Sequence, residues 1–173
     1  MSLFAARENT TETSEEALAT RLESTLVPGL DLHCAYWTPD DGEVFSVFEA
    51  TAPGSPTQSM LAVVPVTPEE YGPRGVEPAA LGEGLGLVLV RRKLDPLSDT
   101  EFRAIALQAI MCAYEYSDMR WLRSYWSRGT DQLFCLFETR SHDLVREHAR
   151  RSRIPCDEVH DAIELKAPAS GND

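Results

Sequence analysis

The segment YWTPDDGEVFSVFE at residues 36–49 recurs further along the chain as YWSRGTDQLFCLFE at residues 125–138. Without a gap, five of the fourteen positions are identical: a tyrosine, a tryptophan, two phenylalanines and a glutamate. Unrelated segments of this length share roughly one position at ordinary residue frequencies. The chain therefore carries the same structural unit twice.

Each copy of this segment predicts a β-hairpin. Two runs rich in aromatic and β-branched residues flank a short polar turn, which is TPDDG at 38–42 and SRGTD at 127–131. Before each hairpin lies a short apolar run that ends in arginine, at 3–7 and at 87–91. We interpret these runs as the first strand of each copy.

A helix is predicted between the first strand and the hairpin in both copies. In the second copy, residues 98–101 have the spacing of a capping box, and apolar residues then recur at helical period up to Tyr116. The first copy has a similar start at Ser14 and ends at Pro28-Gly29.

The second copy continues with a helix predicted at 141–152 and a strand at 159–165. The first copy has a weaker helical pattern at 55–63. Strand, helix, strand, strand, helix, strand, present twice, predicts an α+β fold of two tandem ferredoxin-like (βαββαβ) halves. Because stacked antiparallel sheets can bury each other's open faces, we expect the halves to form a pseudo-dimeric α+β barrel.

The predicted boundaries follow from this pattern. Residues 1–71 form the first ferredoxin-like half, and residues 85–166 form the second. Residues 72–84 between them are rich in glycine and proline and are typical of a linker. Residues 167–173 are expected to be a disordered tail. Since the duplication already supplies a partner for each half, we expect a monomeric pseudo-dimer, or a homodimer formed through an outer edge.

Composition limits the partners. A formal charge of −12 disfavours nucleic acid and anionic membranes, which reward positive charge. No apolar run approaches the roughly 18 residues that cross a bilayer, and the N-terminus does not resemble a secretory signal. The four cysteines show no CxxC spacing, so we expect reduced thiols and a cytoplasmic location. These cysteines are Cys34, Cys112, Cys135 and Cys156.

The register of the second hairpin decides which side chains share a face. We predict that Tyr125 pairs with Leu133. Because side chains alternate along a strand, this register puts Arg123, Tyr125 and Cys135 on one face and Glu138 on the other. The Glu138 face also carries a small serine that lets helices approach closely, so we expect that face to lie beneath the helices.

Arg123 is a candidate for ligand binding. In the predicted register it would line the space between the halves, together with Tyr125 and with Tyr36 of the first copy. A guanidinium in an enclosed space needs an anion or several acceptors to offset its lost hydration. These three residues predict a pocket for a small acidic or aromatic ligand. The alternative is that Arg123 reaches solvent or pairs with one of the 28 acidic residues.

His148 is the candidate metal ligand. It lies on the apolar stripe of the predicted helix 141–152 and should point toward the sheet. Histidine is a common ligand of transition metals, and cysteine and carboxylate are plausible companions. The alternative is a core histidine that is hydrogen-bonded to a backbone carbonyl.

Three blocks in the second half resemble a bacterial domain-of-unknown-function family. The blocks are RWLRSY at 120–125, FCLFE at 134–138 and REHARR at 146–151, followed by Pro155. The resemblance covers about residues 87–165. The family includes a small nickel-binding protein with a ferredoxin-like fold that forms dimers. Through this resemblance, His148 is the first candidate ligand for nickel or another divalent transition metal. Glu138 and Cys135 are further candidates, because the helix runs back along the strand that holds them. The expected register puts Glu138 but not Cys135 toward the helix, so both cannot readily join His148 in one site. The first copy has serine in place of the cysteine, so at most one half retains this set.

Three kinds of function remain open on the sequence, one of them a duplicated structural or regulatory module whose only partner is another protein. The leading hypothesis is a small cytoplasmic metal-binding protein. The second is a dimeric α+β-barrel-type enzyme, such as a monooxygenase or cyclase, or a binder of a small acidic or aromatic metabolite held between the two sheets. No established catalytic motif is present, so the sequence leaves open whether the protein is an enzyme and which residues would be catalytic.

Overall fold

The computed structural model describes residues 2–24, 28–50 and 60–166. In these ranges nine strands and four helices form an α+β protein in which every strand pair is antiparallel, so the predicted fold class is confirmed at this level. The elements are β1 (Leu3–Asn9), α1 (Glu15–Ser24), β2 (Leu30–Thr38), β3 (Glu43–Ala50), β4 (Leu61–Val66), α2 (Pro68–Tyr71), β5 (Gly86–Lys93), α3 (Asp99–Ala113), β6 (Met119–Ser127), β7 (Gln132–Thr139), α4 (His142–Ser152), β8 (Glu158–Asp161) and β9 (Ile163–Leu165).

The chain divides into two compact units. The first contains the described residues up to Val63 together with those from Ala162 onward, and the second is Val64–Asp161. The predicted halves, 1–71 and 85–166, were defined by the repeat in the sequence, and their boundaries stay a prediction. The predicted tail at 167–173 lies outside the described residues. None of the described helices is long and apolar enough to cross a membrane.

In the first unit, the strand order is β4-β1-β3-β2-β9. Residues 61–63 of β4 pair with β1, and β9 pairs with β2. Leu18 and Leu22 of α1 pack on Ala35 and Trp37 of β2, with Leu165 of β9 completing the cluster. The helix therefore covers one face of this sheet.

In the second unit, the strand order is β8-β5-β7-β6-β4, where β4 contributes residues 64–66. Helices α3 and α4 bury one sheet face. The core includes residues from α3 and α4 together with the sheet side chains beneath them: Phe102, Ile110, Ala113, Val145, Val88, Val90, Trp121, Trp126, Leu133, Cys135 and Phe137.

Helices α3 and α4 begin at serine caps. The Ser98 hydroxyl accepts a hydrogen bond from the Glu101 amide, and the Glu101 carboxylate accepts one from the Ser98 amide at 2.9 Å. This is the predicted capping box, which satisfies two backbone donors that a helix N-terminus leaves free. At α4 the Ser141 hydroxyl accepts a hydrogen bond from the Leu144 amide. Arg153, in the left-handed conformation, ends the helix.

Two predictions along the fourth strands are corrected. Residues 61–63, expected in a helix at 55–63, lie in β4, and residues 55–59 are outside the described ranges. Val63 and Val66 are buried, so the short apolar run fits a strand as well as a helix turn. The strand expected at 159–165 is two strands, β8 and β9, with Ala162 between them.

The two hairpins correspond residue for residue. Strands β6 and β7 begin 89 residues after β2 and β3, at 119 against 30 and at 132 against 43. Both hairpins shift register at the same place, between Leu32 and Cys34 in one and between Trp121 and Arg123 in the other. The first strands also match, since Arg7 pairs with Phe45 as Arg91 pairs with Phe134.

The predicted register of the hairpins is wrong by one residue. Tyr125 pairs with Phe134, and Trp126 pairs with Leu133. The cause is the turn, because Ser127 stays in the ladder opposite Gln132 and leaves a loop of four residues, not five. A one-residue slip moves every side chain of β7 to the other face relative to β6.

Gly42 and Asp131 occupy the same turn position and both have positive φ, 66° and 56°. Each carbonyl accepts a hydrogen bond from the chain that follows the first strand, from the Thr10 amide at 2.7 Å and from the Leu94 amide at 2.8 Å. Glycine adopts this backbone at no steric cost, and aspartate tolerates it better than most residues. The turn therefore has the same geometry in both copies despite different residues.

We expect Gly42→Ala to lower the free energy of unfolding by about 1 kcal/mol or more. A Cβ at this position would lie 3.2 Å from the Thr10 carbonyl oxygen, in a backbone conformation that disfavours alanine. Gly129→Ala is the matched control in the other turn, because a Cβ there meets nothing within 4 Å. Urea unfolding of both variants tests this, and equal losses would contradict the account of the turn.

Candidate functional site

A small cavity lies in the second unit between the sheet and helices α3 and α4. Its volume is about 40 Å³. One water takes up roughly 10–15 Å³ of such a volume, so the cavity holds about three or four water-sized groups. Its wall is mostly hydrocarbon. The lining residues are Val66, Arg92, Leu94, Phe102, Ile105, Ala106, Ala109, Ile110, Trp121, Ser124, Leu133, Cys135, Phe137, His148 and Ile154.

His148 reaches this cavity from α4. Its side chain is on the apolar stripe of the helix, as predicted, and the residue is 1 % exposed. Its Nε2 lies 2.8 Å from the carbonyl oxygen of Ala109 on α3, so Nε2 carries the proton and donates it. Nδ1 is buried without a hydrogen-bond partner in the described part of the chain. An unprotonated nitrogen with an available lone pair therefore sits in this core.

The protonation state of His148 follows from its surroundings. Burial, which is the largest effect, lowers its pKa; the hydrogen bond to Ala109 raises it and the cations Arg92 and Arg151 lower it, and the net result is a shift from 6.5 to about 4. Loss of water disfavours the charged imidazolium in a core of this kind. The imidazole is therefore neutral at physiological pH.

Arg92 is the second unusual group in the cavity. It follows Val88 and Val90 on the helix-covered face of β5 and is 2 % exposed. Its Nη1 donates to the Pro155 carbonyl, whereas Nε and Nη2 are buried without hydrogen-bond partners among the described residues. These two nitrogens form the side edge of the guanidinium. The charged group is therefore only partly satisfied.

Cys135 supplies a thiol to the same cavity. It pairs with Val90 and Ser124 in the ladder and is 4 % exposed. The neighbouring Ser124 hydroxyl already accepts a hydrogen bond from Trp121 Nε1 at 2.9 Å. Cys156 is half-buried outside the cavity lining, and burial raises the pKa of its thiol. Cys135 is thus the thiol that shares a cavity with His148.

The register correction changes where two predicted metal ligands lie. Cys135, expected on the face away from the helices, faces them. Glu138, expected beneath the helices, is on the opposite face, where it forms an ion pair with Arg120. The structure therefore brings Cys135 together with His148 and leaves Glu138 apart.

The predicted ligand pocket residues are placed as follows. Arg123 is exposed and lies on the face of β6 opposite to Cys135, contrary to the expected register. Tyr125 and Tyr36 are both buried, at equivalent positions of β6 and β2. Their role in ligand binding stays a prediction.

Sequence analysis missed Arg92, although a signal for it was present. The predicted strand at 87–91 was ended at its arginine, whereas the strand continues to Lys93. Alternation along a strand places 88, 90 and 92 on one face. An arginine that continues a valine-valine face indicates a buried charge.

The equivalent place in the first unit is chemically different. Glu8 pairs with Val44 as Arg92 pairs with Leu133, so glutamate stands where the second unit has arginine. The exposed Glu8 lies 3.7 Å from the half-buried Arg21 of α1, beside a cavity of about 10 Å³. The combination of a buried cation and a thiol is therefore not repeated there.

Residues 89–161 match the family model described as "Nickel responsive protein SCO4226-like". This confirms the resemblance predicted from the three blocks. A comparison with curated proteins found no match. Among solved structures, the chain is similar to "Putative monooxygenase (FN1347)" from Fusobacterium nucleatum subsp. nucleatum ATCC 25586, with 14 % identity, a TM-score of 0.47 and coverage of 95 % of this chain and 92 % of that one. That likeness carries no argument about function.

We expect the neutral, buried His148 to make the protein less stable in acid. Its folded-state pKa is below the unfolded value, so the unfolded chain binds the proton first as the pH falls from 6.5 toward 4. Over this window the wild type should lose on the order of 3 kcal/mol more than His148→Gln. His142→Gln, on the same helix but paired with Asp161 at the surface, is the control. Equal pH profiles of wild type and His148→Gln in urea unfolding would contradict this assignment.

Proposed function

We propose that the second unit binds nickel or a similar divalent transition ion, with His148 as its main ligand. The observation that carries the proposal is the state of this imidazole. Its Nε2–H is held by the Ala109 carbonyl, and its Nδ1 lone pair has no hydrogen-bond partner among the described residues. Histidines that bind metals commonly donate their other ring N–H to a carbonyl or carboxylate, which fixes the tautomer and the ring orientation.

The donors available fit a site with few protein ligands. Cys135 shares the cavity with His148, and a thiolate and a neutral imidazole both suit late transition ions. Glu138 is excluded by its position on the other sheet face, so the three-ligand set implied by the resemblance is not part of the proposal. The guanidinium of Arg92 opposes a dication in the same cavity. We therefore expect weak binding.

The family match supports the proposal in one respect. The matched residues 89–161 contain both His148 and Cys135, and the family is described as nickel responsive. An ion held by His148 and Cys135 would join α4 to β7. Because the two ligands come together in the folded state, the bound ion would stabilise that state.

The tandem duplication belongs to the same proposal. In each unit four strands follow the order expected of a ferredoxin-like half: β4-β1-β3-β2 in the first and β8-β5-β7-β6 in the second. The shared register shift and the shared turn conformation support descent of both from one sequence. The pseudo-dimeric barrel stays a prediction, as does the enzyme hypothesis.

Calorimetric titration of the metal-stripped protein with Ni²⁺ tests the proposal. Wild type should bind, and His148→Ala should lose at least tenfold in affinity, because it removes the imidazole ligand. Cys135→Ser should weaken binding as well. Glu138→Gln should bind like wild type, since this carboxylate faces away from the cavity. Unchanged binding by His148→Ala would end the proposal.

The pH dependence gives a separate test of His148 as a ligand. With a pKa of about 4, its nitrogen stays unprotonated as the pH falls from 7 to 5. Competition between the proton and the metal at this residue should therefore begin only near pH 4. In Cys135→Ser, which removes the thiol proton from the balance, affinity should stay level over this range. A fall centred near pH 6.5 in that variant would show that an exposed imidazole binds the ion.

A further inference from the structure

The geometry points to a second ligand for the same cavity: a small monocarboxylate, held by the free side edge of Arg92. This goes beyond the metal proposal and does not depend on it. It assigns a binding residue and a ligand class on the basis of a buried charge whose hydrogen-bond donors are not used.

Burying the guanidinium of Arg92 has a cost in free energy. Arg92 is 2 % exposed and makes one side-chain hydrogen bond, from Nη1 to the Pro155 carbonyl. Buried charges are normally paired, because removing a cation from water is expensive. Nε and Nη2 have no hydrogen-bond partner among the described residues. Among the described residues, the buried guanidinium therefore keeps two donors without an acceptor.

The Nε and Nη2 edge of Arg92 has the shape that a carboxylate matches. Nε–H and Nη2–H point the same way, and this pair of parallel donors matches the two oxygens of a carboxylate. A water molecule could take one of these bonds but would leave the charge uncompensated. A carboxylate takes both and neutralises the charge.

The size and the lining of the cavity limit what can bind there. It holds about three or four water-sized groups, which equals the non-hydrogen atoms of formate or acetate. Phe102, Ile105 and Leu133 line it, so a methyl group would meet hydrocarbon. The volume and the lining therefore fit a small organic anion.

His148 limits the class of ligand further. Its Nδ1 accepts but does not donate, because the ring proton is on Nε2. A carboxylate oxygen therefore gains no hydrogen bond from His148, so Arg92 is the group that holds the anion.

The first unit supports the assignment by contrast. At the position equivalent to Arg92 it has Glu8, which is exposed, lies near Arg21 and needs no ligand. The duplication thus gives one copy in which the charge at this strand position is an acid near a cation, and one in which a buried cation keeps free donors.

The test uses the full chain, stripped of metal so that failure of the nickel proposal does not affect it. Thermal unfolding is measured with sodium formate, acetate and benzoate, each against sodium chloride at the same ionic strength, up to about 100 mM. The midpoint should rise with formate and acetate more than with chloride. Benzoate, which exceeds the cavity, should behave like chloride.

Arg92→Met and Arg92→Lys identify the residue. Arg92→Met should be at least as stable as wild type without added acid, because it replaces a buried charge by hydrocarbon, and it should lose the response to carboxylates. Arg92→Lys keeps the charge but not the paired donors and should respond at least tenfold less. Arg120→Met, on the opposite sheet face, is the control and should respond like wild type.

Two results would overturn the inference. One is the absence of any carboxylate-specific rise in the wild type. The other is an undiminished rise in Arg92→Met, which would place the anion elsewhere. An independent readout is the NMR signal of the Arg92 Nε–H group, which should shift on addition of acetate to wild-type protein. A stronger response to benzoate than to acetate would overturn the size assignment.

Discussion

The pairing of Ser127 with Gln132 across a four-residue turn is the constraint on which the second unit depends. It places Leu133, Cys135 and Phe137 beneath α3 and α4. The shift of register between Trp121 and Arg123 then keeps Trp121 on the same face despite its odd number. A turn longer by one residue would reverse this set. The cavity would then lose its thiol, and the helices would lose most of the surface on which they pack.

Most of the elements could be predicted from the sequence because local signals specify them, and the errors lie at 61–63 and 159–165. The capping box at Ser98, the amphipathic pattern around His148 and the repeated hairpin all give the expected structures. The register could not be predicted, since both registers bury a similar number of aromatic residues. The bulge at Leu122 has no signature in composition, and it decides the faces as much as the turn does.

The types of side chain around the cavity were predicted more accurately than the positions that supply them. A buried guanidinium was expected at Arg123, but the guanidinium lining a cavity belongs to Arg92, on a different strand. His148 was placed correctly, because helical periodicity specifies the inward face without reference to a partner strand. Residues on strands depend on long-range pairing, so an error of one position exchanges Cys135 with Glu138. The reliability of each assignment thus follows the range of the interaction that positions it.

The two polar groups in the cavity explain each other in part. Burial is the main cause of the lowered pKa of His148 and Arg92 adds to it, so the imidazole stays neutral and its Nδ1 can accept a bond. A sequence selected for stability alone would replace both by hydrocarbon, as most of the surrounding core has done. A binding protein instead needs donors and acceptors that remain unused until a ligand arrives. Among the described residues each group has one side-chain hydrogen bond, His148 to Ala109 and Arg92 to Pro155, so the pair is oriented and still has unused polar atoms. The first unit has Glu8 in place of the arginine, so the proposed binding function rests on one copy of the repeat.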